Sequence, residues 1–307
     1  MSDSAYQTLL EKEEVIANPE RKGIRKGLYL IPTAFTAANV LMGFLSLMST
    51  MRGFQLLGIG NGDALLKAAS LEFDKASIFI GWAILFDSLD GRLARMTKTT
   101  TEIGVQFDSI ADVLTFGIAP AFLAFAWGYG SSLQSGSTLY SIGLFVSFMY
   151  LMCGAFRLAR FNVQASRPRP LIEGTVKVDK KHFVGLPIPP AAGLLAAVVH
   201  FTPMPLVFYG AEKSRWLCIL LMLGMGLLGL LMVSTIRYTS FKSLGTGRNN
   251  IRLILLIAAI SMLIWLYSKY VLLIAVVVYV AHGIVLKMLS SLFGGLWKDS
   301  CRSHSEN

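Results

Sequence analysis

Apolar stretches long enough to cross a bilayer recur along almost the whole chain, and they decide what it can fold into. A helix rises about 1.5 Å per residue, so about 20 apolar residues match a hydrocarbon core of ~30 Å. Eight such stretches occur, at roughly residues 28–51, 74–97, 103–129, 138–162, 183–203, 215–236, 251–268 and 270–291. Only the region of Ser268 and Lys269 divides the last two, which leaves a single broken hairpin open there. With 54% hydrophobic and 15% charged residues over 307, the chain is too oily for a soluble domain of this size. The expectation is an all-α integral membrane protein, a polytopic bundle of about eight transmembrane helices.

The charges follow that division. If the amino terminus is cytoplasmic, 22 of the 28 Lys and Arg fall on the inner side, against six on the outer: Arg52, Lys67, Lys75, Lys213, Arg215 and Lys269. The positive-inside rule then puts both termini in the cytoplasm. The net charge of +10 is accounted for by topology and by attraction to anionic lipid headgroups, so no nucleic acid is required. The opening stretch "EKEEVIANPERKGIRKG" lacks the order of a signal peptide and reads as an interfacial, amphipathic or loosely ordered arm.

Cys153, Cys218 and Cys301 form no close pair or metal spacing, and His182, His200, His282 and His304 are scattered. No internal repeat and no linker between soluble domains is visible. The expected organisation is an arm over 1–27, a membrane core over 28–245, two further helices over 246–292 and a tail over 293–307. Small-residue spacings in "GMGLLG" (residues 224–229) and from Asn39 to Gly43 suit close helix contacts in lipid.

Within the spans, four acidic residues stand out: Asp87, Asp90, Asp108 and Asp112. An aspartate at a helix centre costs about 2.5–3.5 kcal/mol, so four uncompensated ones would cost about 10 kcal/mol. That rivals the roughly 5–15 kcal/mol stability of a whole domain, so something must neutralise them. Asp87 and Asp90 are three apart, Asp108 and Asp112 four apart, and each pair shares a helix face. Between them "TKTTTE" offers Thr99 as a helix cap with Glu102 three residues on, a capping-box pattern. The tight hairpin this predicts sets Asp87 level with Asp112 and Asp90 level with Asp108. Converging carboxylates with no His or Cys nearby point to hard divalent cations: magnesium, manganese or calcium. Two cations clamping a phosphate fit such a quartet. Gly91, Ala94 and Gly104 leave room for a phosphate to come near.

The run "DSLDGRLARMTKTTTEIGVQFDSIAD" (residues 87–112) resembles the signature of the CDP-alcohol phosphatidyltransferases, D-x2-D-G-x2-A-R-x8-G-x3-D-x3-D, at all eight of its fixed positions. The resemblance implies a six-helix membrane core, a homodimer and two divalent cations, Mg2+ or Mn2+. Carried onto this chain, it implies that Asp87, Asp90, Asp108 and Asp112 ligate the metals and that Asp112 is also the base toward an incoming hydroxyl. Gly91, Ala94 and Arg95 would border the CDP moiety. An active site on the cytoplasmic side of the cell (inner) membrane is expected.

The flanks narrow the acceptor. "TAFTAANVLMGFLSL", "DSIADVLTFGIAPA", "FRLARFNV", "FVGLPIPPAAG" and "YTSFKSL" resemble the phosphatidylserine synthases of that family, over about residues 28–244. This implies CDP-diacylglycerol as donor and L-serine as acceptor. Arg157 and Arg160, with Asn162 beside them, are candidates for binding the serine carboxylate or a lipid phosphate, or are positive-inside anchors. Lys242 in "SFKSL" is a further candidate for phosphate. Pro187, Pro189 and Pro190 suit an extended lead-in and first helical turn whose free N–H groups can face an anion. Lys180, Lys181 and His182 read as a solvated or headgroup-facing strip, and "GRNNIR" as a turn with charge anchors. Rival readings are a sibling enzyme using glycerol phosphate, inositol phosphate or an ether-lipid donor, a cation transporter lined by intramembrane aspartates, and an inactive scaffold.

Overall fold

The computed structural model describes residues 19–60, 62–97, 102–166, 182–239, 267–283 and 285. It is an all-α polytopic membrane protein. Helix α1 spans Pro19–Ile59 and α2 spans Asp63–Thr97. Helix α3 runs without a break through Glu102–Asp112, a π-helical Val113–Ile118, Ala119–Ala124 and a π-helical Phe125–Tyr129. Helix α4 is Thr138–Ser166, α5 Ile188–Phe201, α6 Ala211–Val233 and α7 Tyr267–Gly283. Among the described residues, four helices are long and apolar enough to cross a membrane: Ala34–Ile59, Ile103–Tyr129, Thr138–Val163 and Ala211–Val233.

Seven of the eight expected spans coincide with helices, with shifted ends; the stretch 251–268 lies almost wholly outside the described residues. The first helix is described from Pro19, ahead of the expected start of the first span. The fifth is shorter than expected. Pro187 is extended, with ψ 146°, so the helix starts only at Ile188. Ahead of it His182–Val184 (β1) pairs antiparallel with Arg237–Thr239 (β2), Phe183 opposite Tyr238. Between them Gly185 adopts φ +85°, and a Cβ there would sit 2.3 Å from the carbonyl oxygen of Met232.

The buried faces explain the assembly. On α1 the buried stripe runs through Thr36, Asn39, Gly43, Ser46, Thr50, Gly53 and Leu57, a three-four alternation of mostly small residues, with Ser49 buried beside it. On α2 it runs through Leu66, Ala69, Phe73, Ala76, Ile80 and Ala83 in the same rhythm, with Ser70 and Ser77 buried beside it. Small side chains let the two backbones close up, and Ser46 Oγ donates to the carbonyl of Ala76 at 2.9 Å. Gly43 meets α3, where an added Cβ would lie 2.6 Å from Thr115 Oγ1. In the 224–229 stretch only Gly229 makes the close contact expected, against Cys153 of α4; Gly224 and Gly226 face open space.

Helix α3 is the most enclosed of the spans. Its π-helical turn bunches Thr115, Phe116 and Gly117 together in the interior. Pro120 has no N–H to offer the carbonyl of Phe116 four residues earlier, and the buried Tyr150 hydroxyl of α4 donates to it instead, at 3.2 Å.

Candidate active site

The rhythm that packs α2 also delivers its carboxylates. Continuing 76, 80, 83 by the same steps reaches 87 and 90, so Asp87 and Asp90 extend the core-facing stripe. Asp90 is 6% exposed. On α3, Asp108 and Asp112 are one turn apart, and Asp112, immediately ahead of the π-helical segment, is 8% exposed.

Carboxylate oxygens of Asp87, Asp108 and Asp112 lie within 4.8 Å of one another. Asp90 stands outside that group of three. Its carboxylate accepts a hydrogen bond from the hydroxyl of Thr36 on α1, while staying near enough to repel Asp108 and Asp112. The hairpin expected from the sequence thus brings three of the four carboxylates together and turns the fourth toward a neighbour the motif does not contain. Thr99, the expected cap, lies outside the described residues.

The electrostatic debt at this cluster is plain in its bonding. Asp112 Oδ1 is buried and has no hydrogen-bond partner, which an acceptor of full negative charge does not tolerate without a cation close by. Among the described residues, one cation is provided by the protein. Arg157 of α4, 8% exposed, is near enough to attract Asp112, and its Nε is likewise buried without a partner. One guanidinium cannot balance four carboxylates. The donor set, oxygen only, suits a hard divalent cation, and the cluster fits one.

The remaining candidates scatter around this centre. Arg160 does not share the position of Arg157: its Nη1 donates to the carbonyl of Val233 at 3.2 Å, tying α4 to the end of α6. Asn162 Nδ2 donates to Ser109 Oγ at 2.8 Å, one residue past Asp108. Gly91 is partly buried on α2, and Ala94 and Arg95 belong to the final turns of the same helix. Lys242, Lys180 and Lys181 lie outside the described residues.

Three residues near the site escape the motif. Thr36, and Asn39 one turn along, are polar residues on the buried face of an apolar span; the Asn39 amide is wholly buried with neither side-chain polar atom bonded. Their spacing on an otherwise oily helix was the available signal. Tyr279 of α7 lies within electrostatic range of Arg157, and nothing in its surroundings in sequence marks it.

Comparison with known proteins agrees with this geometry. The family model for CDP-alcohol phosphatidyltransferase matches residues 29–206. A Helicobacter pylori protein named CDP-diacylglycerol–serine O-phosphatidyltransferase is 31% identical over 258 residues, 84% of this chain and 91% of the relative. Proteins of the same name from Bacillus subtilis, 33% identical over 57% of this chain and 83% of the relative, and from Saccharomyces cerevisiae, 35% identical over 56% and 54%, are also similar. With its aspartates on adjoining helices and a family match over more than half its length, this chain belongs to the CDP-alcohol phosphatidyltransferase family.

Proposed function

We propose that this protein transfers the phosphatidyl group of CDP-diacylglycerol to the hydroxyl of L-serine, giving phosphatidylserine and CMP. The observation that carries the reading is the buried, unpartnered Asp112 oxygen set among Asp87 and Asp108, in a chain similar to serine phosphatidyltransferases over 84% of its length. Asp87, Asp108 and Asp112, with Asp90 beside them, would hold two divalent cations, Mg2+ or Mn2+. When bound, such ions neutralise a diphosphate and stabilise the departing CMP.

The chain's own residues do the rest. Asp112 accepts the proton of the serine hydroxyl as its oxygen bonds to the phosphorus bearing the diacylglycerol, and the bond from that phosphorus to CMP breaks. Gly91, Ala94 and Arg95 border the CDP moiety, the small residues giving the diphosphate room against the backbone. Arg157 supplies the guanidinium for the serine carboxylate. Arg160 and Asn162 act one step back, bracing α4 against Val233 and Ser109. Lys242 is assigned to the lipid phosphate. The working unit is a homodimer in the cell (inner) membrane, with both termini and the site on the cytoplasmic side, in keeping with the excess of Lys and Arg on that face. The core over 28–245 carries the chemistry.

The test is CMP release by purified protein given CDP-diacylglycerol, a divalent cation and a panel of acceptors. Serine-dependent release is expected. Release with glycerol phosphate or inositol phosphate and none with serine would reassign the acceptor, and none with any acceptor would remove the reading.

A further inference from the structure

Helix α7 lies beyond the residues matched by the family model, yet it reaches the site. Three contacts dock it along α5. At its first turn Ser268 Oγ lies 3.0 Å from Nε2 of His200, whose Nδ1 lies 2.6 Å from Asp74 Oδ1 on α2. Tyr270 then meets Phe201 edge to face, ring centroids 5.4 Å apart. Farther along, Val276 approaches Gly193, where an added Cβ would stand 3.9 Å from Val276 Cγ2. Positions 276, 279 and 280 share a helix face. That face is turned to the core, with Val280 buried and Val276 and Tyr279 partly buried against it.

Tyr279 is the polar member of this face, and it comes within electrostatic range of Arg157. Arg157 is buried, has an N–H without an acceptor, and is drawn toward Asp112 from the other side. Its neighbour Arg160 is already engaged with Val233, so Arg157 is the guanidinium beside Asp112 that retains an unused donor. A phenolic oxygen accepts a guanidinium N–H and fixes the plane of the fork, which sets the direction in which the other N–H groups point.

This inference rests on the serine-transfer reading. A serine whose hydroxyl is at Asp112 must bring its carboxylate within a few bonds of that point, next to Arg157. We propose that Tyr279 is a positioning residue for the acceptor: it holds the Arg157 guanidinium in the orientation that receives the carboxylate of an amino-acid acceptor. The helix appended after the family core thereby contributes to the choice of acceptor through the carboxylate, while Asp112 meets the acceptor's hydroxyl and the aspartate cluster as a whole serves the diphosphate of the donor.

The experiment uses full-length wild-type protein and Tyr279→Phe, which keeps the ring and removes the oxygen. The serine KM, the CDP-diacylglycerol KM, kcat and the thermal midpoint are measured for both. The expected result is a serine KM raised about tenfold, the scale of losing a bond to a charged group, with the donor KM and thermal midpoint unchanged. An unchanged serine KM, an equal rise in both KM values, or a lowered thermal midpoint accounting for the loss would assign Tyr279 to packing and overturn the proposal. Absence of serine-dependent CMP release from wild-type protein would instead sink the reading beneath it.

Discussion

Thr36 of α1 donates its hydroxyl hydrogen to the carboxylate of Asp90 on α2, so an aspartate of the signature is held by a residue 54 positions away. The bond explains why Asp90 stays buried without joining Asp87, Asp108 and Asp112. It also makes α1 part of the site's wall.

Removing that hydroxyl leaves a buried carboxylate short of a donor. Thr36→Val keeps the side-chain shape, and a hydrogen bond to a charged group is worth about 1.5–3 kcal/mol. A fall in kcat/KM for the CDP-lipid of about tenfold or more is expected, with most activity kept by Thr36→Ser; CMP release measures both.

The approach of α1 to α3 has no slack. A Cβ at Gly43 would lie 2.6 Å from Thr115 Oγ1 and 3.0 Å from the Thr115 Cα, and a backbone atom cannot rotate away. Gly43→Ala is expected to lower stability by about 1–3 kcal/mol, read as a lower thermal midpoint in detergent. Gly81→Ala, where nothing lies within 4 Å, is the matched control and is expected to lower nothing.

Gly185 links β1 to α5 at φ +85°, with the carbonyl of Met232 only 2.3 Å from any added Cβ. Conformational strain alone costs about 1–3 kcal/mol there, before the collision. Gly185→Ala is expected to reduce the amount of folded protein recovered from membranes, as seen by size-exclusion profile, more severely than Gly43→Ala.

The docking of α7 depends on His200 bridging Asp74 and Ser268. His200→Leu fills similar space and removes both bonds. Faster amide hydrogen exchange over residues 267–283 is expected, with α2 and α3 near the site protected as in the wild type.

Much of this was legible beforehand because two periodicities carry it. Apolar length marked the spans, and three-four spacing put each aspartate pair on one face, which is why Asp87 and Asp112 meet as expected. Periodicity names a face and leaves its partner open. The turn of Asp90 toward Thr36, the engagement of Arg160 with a backbone carbonyl and the reach of Tyr279 to Arg157 are all choices among neighbours that tertiary packing makes. The π-helical turns of α3 left no mark either, since Pro120 and the small residues around it read equally well as an ordinary helix. Strands of three residues are too short to show alternation, and the apolar run from 183 merges most of β1 with the span that follows.

The most direct trial of the account is divalent-cation binding itself. Mn2+ is titrated into purified protein in the presence of CDP-diacylglycerol, and the free ion is counted by its paramagnetic resonance signal, for wild type and for Asp108→Ala. Saturable binding by the wild type is expected, weakened at least about tenfold when Asp108 is removed from the three-carboxylate group. Wild-type affinity in Asp108→Ala, with the variant folded and inserted, would contradict it.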